Sequence, residues 1–328
     1  MIINQLSEIK RILDDSIKKY PSIGIVTHKN PDGDGFCASL VMQELLMNKG
    51  IKADIVLEEP ARAVYDFLQG SERTIVFSEH LRYDLLIILD CHEEERIGIC
   101  APLIPTAKKI IAIDHHLEHG LIPDTDTYID IKTVSVGAII FQMYNDEIDS
   151  LPAESSNYIA KALYITILND TDNFLNANVD AETFSICSSL MKYKIKPGQL
   201  TELFLLSKPA NEMRFVGEVL STIQTYDNDQ ILFIDSTINM LRRNNLGPEA
   251  NTKLTRWVKG TQNVKVTVCF QEVSSTRYRM SLRSNYINVN KIAVKYGGGG
   301  HEKASGCEIK GKLDEIKRLI LDEIREQL

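Results

Sequence analysis

The sequence predicts an α/β protein: an N-terminal, mostly parallel sheet flanked by helices, a helical linker, and a smaller C-terminal α+β domain. Three observations predict it. Short, near-continuous apolar runs alternate with helix-period stretches through the first two hundred residues, as buried parallel strands and their covering helices do. From about Ala181 the spacing turns helical, with breaks at Lys196-Pro197-Gly198 and Ser207-Lys208-Pro209. Beyond these breaks β-rich segments return, and a charged amphipathic helix closes the chain.

Element by element, residues 6–20 read as an opening helix, and Ile23-Gly24-Ile25-Val26-Thr27 as a buried strand by its brevity and β-branched content. Residues 36–47 have helical spacing, ended by Gly50. Residues 51–57, 74–77, 85–89 and 110–113 read as further strands, and the apolar stretch 159–168 as a helix. Residues 184–191, 200–206 and 213–223 are helical by period. In the second domain 231–234, 264–270 and 278–282 read as strands, 289–296 as helix-like and 313–326 as the final helix. The boundaries expected are 1–192, a linker at 193–210, and 211–328.

At 328 residues the chain is long enough for two domains, each with its own core. No apolar run approaches the ~20 residues of a membrane span, and the first residues lack the layout of a secretory signal. The six cysteines form no C-x-x-C pair and sit mostly in apolar segments, as buried reduced thiols would; the cytoplasm is the expected compartment. A net charge of −8 disfavours nonspecific binding of long nucleic acid. The charge is uneven: residues 211–328 carry 18 Lys and Arg against 14 Asp and Glu, a net of +4 that leaves −12 for the rest. A carboxylate-rich part that needs cations, joined to a mildly basic part, suits a small anionic ligand.

Four polar clusters each follow an apolar run: His28-Lys29-Asn30-Pro31-Asp32-Gly33-Asp34-Gly35, then Asp90, then Asp114-His115-His116, then Asp170-Thr171-Asp172. Carboxylates and imidazoles at the ends of buried strands make a divalent-metal site, because ligands in such sheets sit beyond the carboxyl ends of the strands. In the first cluster the glycines permit a tight turn, so Asp32, Asp34 and His28 can converge. Asp90 can bridge two ions if its neighbours lie on adjacent strands. Two adjacent imidazoles after a strand cannot face the same way. One division makes His115 a ligand and His116 a group facing substrate, with Asp114 orienting an imidazole. His92 and Glu93 to Glu95 read as a solvated helix start, and His119 as a surface loop residue. A fifth cluster, Gly297-Gly298-Gly299-Gly300-His301, exposes backbone N–H groups that can cradle phosphate, and Arg283 offers a bidentate fork. Tyr278 and Tyr286 read as packing residues in preference to base-stacking ones.

These motifs, in this order, resemble the DHH phosphoesterase superfamily, named for the triplet that stands here as Asp114-His115-His116. Ser281-Leu282-Arg283-Ser284, followed by the glycine run with His301, resembles the DHH-associated C-terminal domain. The layout is most similar to the compact oligoribonuclease and 3′-phosphoadenosine-5′-phosphate phosphatase group. The resemblance implies that His28, Asp32 and Asp90 hold one metal, and that Asp34, Asp90, His115 and Asp170 hold the other. It implies two divalent ions, Mn²⁺ in preference to Zn²⁺ or Mg²⁺, with His116 and Asp114 serving catalysis. Arg283, Ser284, Gly298, Gly299, Gly300 and His301 would bind the substrate's other end, in a cleft between the domains. The implied partners are short oligonucleotides or nucleotide bisphosphates, with no membrane; a homodimer is compatible with the sequence. One departure stands out: the family usually reads Asp-Thr-Gly where this chain has Asp170-Thr171-Asp172. A manganese-dependent inorganic pyrophosphatase would share the first domain but not this second one. A cyclic or linear dinucleotide phosphodiesterase, or a non-catalytic nucleotide-binding regulator, are the other readings.

Overall fold

The computed structural model describes residues 1–117, 120–251 and 254–328, and the chain divides into two compact units, Met1–Ser207 and Lys208–Leu328. In the first, the described strands are β1 (Ile2–Ile3), β2 (Ile23–Val26), β3 (Ala53–Leu57), β4 (Thr74–Val76), β5 (Leu85–Leu89), β6 (Lys109–Asp114) and β7 (Asp126–Ile129). They form one sheet in the order β1-β7-β6-β5-β2-β3-β4, parallel at every pairing. The helices are α1 (Leu6–Lys19), α2 (Gly33–Asn48), α3 (Glu94–Ile97), α4 (Val136–Ser150), α5 (Ala153–Asp170), α6 (Ala181–Met191) and α7 (Pro197–Thr201).

The strands are apolar on both faces because both faces are covered. Ile25, Leu85, Ile87, Leu89, Ile111 and Ile113 join a core with Leu13, Leu40, Ile139 and Leu163 from α1, α2, α4 and α5. Their alternate neighbours Val26, Leu86, Ile88 and Ala112 pack on the other side with Ile97, Cys100 and Leu103. The chain runs outward from β2 to β4, returns to β5, and runs outward again to β7. The strand order therefore reverses between β2 and β5, the place where a parallel sheet opens a crevice at its carboxyl edge.

Several boundaries differ from the sequence reading. α2 starts at Gly33 instead of Phe36, because Asp32 caps it by accepting the Asp34 N–H at 3.0 Å. Neither Gly33 nor Gly35 has positive φ, so neither is there to allow a left-handed turn; the left-handed residue of this loop is Asn30 (φ 52°). Gly35 is needed for close approach: a Cβ there would lie 2.2 Å from Thr27 Oγ1 and 3.2 Å from Asp90 Oδ2. Residues 193–207 are not a spacer. Ile195, Leu200 and Phe204 are buried in the first unit's core, and a π-helical turn (Glu202–Leu206) follows α7. The helical character expected of 193–210 is present over 197–206, but that stretch packs into the first unit, which runs to Ser207.

The second unit has α8 (Ala210–Leu220), α9 (Ile238–Arg243), α10 (Val289–Lys295) and α11 (Leu313–Arg325). Its strands are β8 (Gln224–Tyr226), β9 (Ile231–Ser236), β10 (Val266–Ser274), β11 (Arg277–Ser284), β12 (Gly299–His301) and β13 (Ala304–Lys310), in the order β12-β13-β11-β10-β9-β8. Only β9 and β10 pair in parallel among them. One face packs Phe233, Val268, Phe270 and Met280 on Ile292, Ile316 and Ile320 of α10 and α11; the other packs Leu232, Ile234 and Cys269 on Phe215, Val216 and Val219 of α8.

Candidate metal centre

Three adjacent strands deliver the centre. His28 lies two residues beyond β2, Asp90 directly follows β5, and Asp114 ends β6. Parallel neighbours put those ends on one edge of the sheet. Asp90 turns out of its strand through a left-handed residue (φ 62°) while its N–H still reaches Ile113 O at 3.0 Å. Asp34 is fully buried, and its carboxylate accepts the N–H groups of Val136 (2.6 Å) and Gly137 (3.0 Å). It therefore joins the first turn of its own helix to the N-terminus of α4, where Ser135 caps Ala138. Both helix ends favour negative charge there. Asp170 is the last residue of α5, with Oδ1 held by Asn169 Nδ2 at 2.7 Å.

The two imidazoles are presented alike. His28 Nδ1 lies 2.9 Å from Lys29 O, and His115 Nδ1 lies 3.2 Å from Thr133 O. Each Nδ1–H is thereby committed to a carbonyl, which turns Nε2 toward the carboxylates. His28 Nε2 is 3.4 Å from Asp90 Oδ2 and 3.8 Å from Asp32 Oδ1. His115 Nε2 is 3.1 Å from Asp170 Oδ2, 3.6 Å from Asp90 Oδ1 and 3.7 Å from Asp34 Oδ2. Three sets of side chains are arranged closely enough to share a cation: His28/Asp32/Asp90, Asp34/His115/Asp170 and Asp90/His115/His116. Asp90 belongs to two of them.

The atoms left over fit a cation. Asp90 Oδ1, His115 Nε2 and Asp170 Oδ2 are buried and have no hydrogen-bond partner. Buried polar atoms are seldom orphaned, and three that face one another mark a place for positive charge. Electrostatics agree. Burial, then the charges of Asp170 and Asp90, push Asp34 well above the usual carboxylate range. Burial also lifts Asp90 to about 6, with Asp170 and Asp32 adding and His28 opposing. Burial opposes charge on His28, yet Asp32 and Asp90 raise it to about 10; against the same opposition Asp170 and Asp90 raise His115 to about 9. In the metal-free protein, protons thus stand where cations would. Loading with Mn²⁺ at pH 7.5 is expected to release about two protons or more, seen as a buffer-dependent heat in calorimetry. Apparent affinity is expected to climb with pH and flatten near pH 9 to 10, as His115 and then His28 lose their protons unaided. Binding without proton release would show that these imidazoles are not ligands.

His116 lies beside this centre. Its ring meets that of His115 edge-on at 4.5 Å, and its Nδ1 is 2.8 Å from Asp114 Oδ1. Asp114, fully buried, is held well below the usual carboxylate range by His116 and His92 in spite of burial. His92 overturns its reading as a solvated helix-start residue. It is only 1% exposed, and its Nδ1 lies 2.5 Å from Asp114 Oδ2. The signal that could have found it is a His two residues after one strand-end Asp, with a second Asp ending the neighbouring strand. Asp172 takes a left-handed conformation (φ 49°). Aspartate tolerates that region better than most residues, so it can stand where the resemblance expects glycine. It belongs to none of the three candidate cation sets. His119 lies outside the described residues.

In the second unit Arg283, Ala304 and His301 are in register across β11, β13 and β12. Directly opposed residues share a face, and two strand spacings put the outer pair roughly 10 Å apart over a small Ala304. Both Arg283 and His301 are exposed. Ser284 is buried, and its hydroxyl donates to Lys265 O (2.8 Å) while accepting from Tyr286 N (2.9 Å) and Ile287 N (3.1 Å). That fills its capacity, so Ser284 shapes the loop and is not the ligand contact expected of it. The glycines are not a free loop either. Gly299 and Gly300 belong to β12, and a Cβ on Gly298 would meet Gly306 O at 2.1 Å. Tyr286 is 69% exposed, which corrects its reading as a packing residue, whereas Tyr278 packs on the core.

Residues 22–167 match the DHH family, N-terminal domain, and residues 241–326 match the DHHA1 domain. The chain belongs to the DHH family. It is 30% identical over 317 residues to the bifunctional oligoribonuclease and PAP phosphatase NrnA of Thermus thermophilus, covering 93% of this chain and 90% of that protein. It is 25% identical over 321 residues to the protein of the same name in Bacillus subtilis, covering 96% and 97%. Its fold is similar to that of an exopolyphosphatase-related protein from Bacteroides fragilis, with a TM-score of 0.86 and 19% identity over 97% of this chain and 96% of that one.

Proposed function

We propose that the chain is a two-metal phosphoesterase that hydrolyses very short oligonucleotides to mononucleotides and 3′-phosphoadenosine-5′-phosphate to AMP. The observation that carries this reading is the convergence of six side chains around Asp90 with three buried polar atoms left unpartnered. The names of the Thermus and Bacillus relatives support the substrate class. His28, Asp32 and Asp90 would hold one ion, and Asp34, Asp90, His115 and Asp170 the other. Bound there, divalent ions, taken as two Mn²⁺, supply charge for a phosphoryl oxygen and lower the pKa of water beside them.

The side chains do the rest. Asp34, fixed by two backbone N–H groups, holds its place without a search through rotamers. His116 keeps Nδ1 on Asp114, which leaves Nε2 of a half-exposed ring to balance charge that builds on a phosphoryl oxygen. A thiol nucleophile does not fit: burial pushes Cys91 up to about 12 and Cys37 higher than its ordinary value. Arg283 and His301 hold the far phosphate or terminal nucleotide. The six buried free cysteines suit the cytoplasm. Among the described residues no helix is long and apolar enough to cross a membrane.

Hydrolysis with Mn²⁺ of a panel containing dinucleotides, longer oligomers, 3′-phosphoadenosine-5′-phosphate and pyrophosphate tests the reading. Release of mononucleotides and AMP supports it; turnover of pyrophosphate alone, or retention of intact dinucleotide, overturns it. Arg283→Ala is expected to raise KM for dinucleotides at least about tenfold with kcat within about threefold, since it removes binding remote from the reacting bond.

A further inference from the structure

We infer that His92 is a positioning residue that acts on the reacting phosphate through Asp114 and His116. This rests on the role proposed above for His116. Asp114 accepts four hydrogen bonds while buried away from water. Its Oδ1 takes the backbone N–H groups of His115 (2.7 Å) and His116 (3.2 Å) and the His116 Nδ1–H (2.8 Å); its Oδ2 takes the His92 Nδ1–H (2.5 Å). The first three donors come from the two residues that follow Asp114 and all fall on Oδ1, so they orient the carboxylate only against its own segment. His92 is the donor that comes from another segment, three residues beyond the end of β5. It is itself fixed: it lies two residues beyond Asp90, its backbone carbonyl accepts the Ile122 N–H at 3.1 Å, and it is 1% exposed.

The consequence is geometric. A carboxylate anchored on one oxygen by His92, from the segment after β5, presents its other oxygen to His116 in one orientation. That orientation holds the proton of His116 on Nδ1 and aims Nε2 outward. His92 thus does for His116 what a second carboxylate or carbonyl does for a ligand imidazole elsewhere: it removes rotational freedom from a group that must be in place when charge develops. Without His92, Asp114 Oδ2 would be a buried carboxylate oxygen without this donor, and the carboxylate would be held through Oδ1 alone.

A double-mutant cycle on Mn²⁺-saturated protein tests this, with kcat and KM for a dinucleotide and the Mn²⁺-induced shift in melting temperature as readouts. His92→Leu is expected to lower kcat about 10- to 100-fold, with KM within about threefold and the metal-induced shift unchanged. His92→Asn, whose amide N–H can replace the Nδ1–H, is expected to recover kcat to within about threefold of the parent. In a His116→Ala background, His92→Leu is expected to change kcat less than about twofold, because its route is already cut. If His92→Leu does not fold, His92→Gln, with its donor one bond too far out, takes its place in the cycle. Losses that multiply independently, or a loss of metal-induced stabilisation with His92→Leu, overturn the inference. A His116→Ala protein with full kcat overturns the role of His116 first, and this inference with it.

Discussion

Asp90→Asn is expected to melt higher than the parent protein in chelator and lower than it in Mn²⁺. The Asp90 carboxylate is 2% exposed and feels the charges of Asp32 and Asp170, offset by the imidazoles of His28 and His116. Its pKa rises from 3.8 to about 6 when the protein folds, so above about 6 the ionised form costs the folded state free energy, and that cost fades as pH falls from about 6 toward the ordinary carboxylate value. At neutral pH the cost is on the order of 3 kcal/mol. An amide of the same shape removes it, and the metal-free variant is expected to gain roughly 5 °C in melting temperature. Metal reverses the order. The parent gains about 2.7 kcal/mol when free ion reaches a hundred times its dissociation constant. The variant has lost the one carboxylate that faces both imidazole-bearing sets, and its gain is expected to be small. Turnover is expected to fall by at least about 10³-fold, some 4 kcal/mol of transition-state stabilisation. A variant that melts lower than the parent in chelator would mean that Asp90 is already satisfied without a cation.

That crossover separates what the sequence discloses from what it hides. β2, β5 and β6 are legible because a strand covered on both faces must be apolar throughout, and the polar residues that end them stand out by contrast. Parallel pairing then gathers the ends of these three strands, which is why the polar clusters that follow them could be read as one candidate site; the division into two ligand sets was implied by the resemblance to the DHH family. β1 and β7 are not legible. One has two residues, and the other, Asp126-Thr127-Tyr128-Ile129, mixes polar and apolar residues without a clear period. The early start of α2 was hidden because glycine is a poor helix former, so only the cap at Asp32 marks it. Contacts between separate elements leave no local trace either. His92 against Asp114 depends on how β5 and β6 lie together, and the filled hydroxyl of Ser284 on a carbonyl nineteen residues away. The glycine run has the right composition for a loop, but its last two residues pair with β13, which lies so near Gly300 that a Cβ there would stand 2.6 Å from Ala304 O.

Lys317→Met is expected to destabilise the second unit by about 3 to 5 kcal/mol, the usual cost of removing one partner from a buried ion pair. Lys317 lies on the apolar face of α11 beside Ile316, Ile320 and Ile324, 7% exposed, where a sequence reader would place another aliphatic residue. Its Nζ is 2.5 Å from Asp235 Oδ2 and 3.1 Å from Gln224 Oε1, and it lies 5.7 Å above the Phe270 ring. Asp235 is on β9, its other oxygen is buried without a partner, and burial raises its pKa in spite of the lysine. Methionine conserves the volume but strands this carboxylate, so the loss is electrostatic and not a cavity. Adding Asp235→Leu to Lys317→Met is therefore expected to return most of the lost stability, measured by denaturant midpoint. If the double variant is no more stable than the single one, lost packing of the lysine stem explains the cost instead. The contrast with Asp90 is the instructive part. Both units bury a carboxylate that raises its own pKa; the second supplies the balancing cation from its own sequence, while the first leaves three polar atoms unpaired. A chain able to place a lysine against Asp235 could have placed one against Asp90. Instead His28 and His115 turn Nε2 toward Asp90, at 3.4 and 3.6 Å, and His116 turns Nδ1, at 3.4 Å; imidazoles can give up their protons to an incoming cation, which a lysine in that place would exclude.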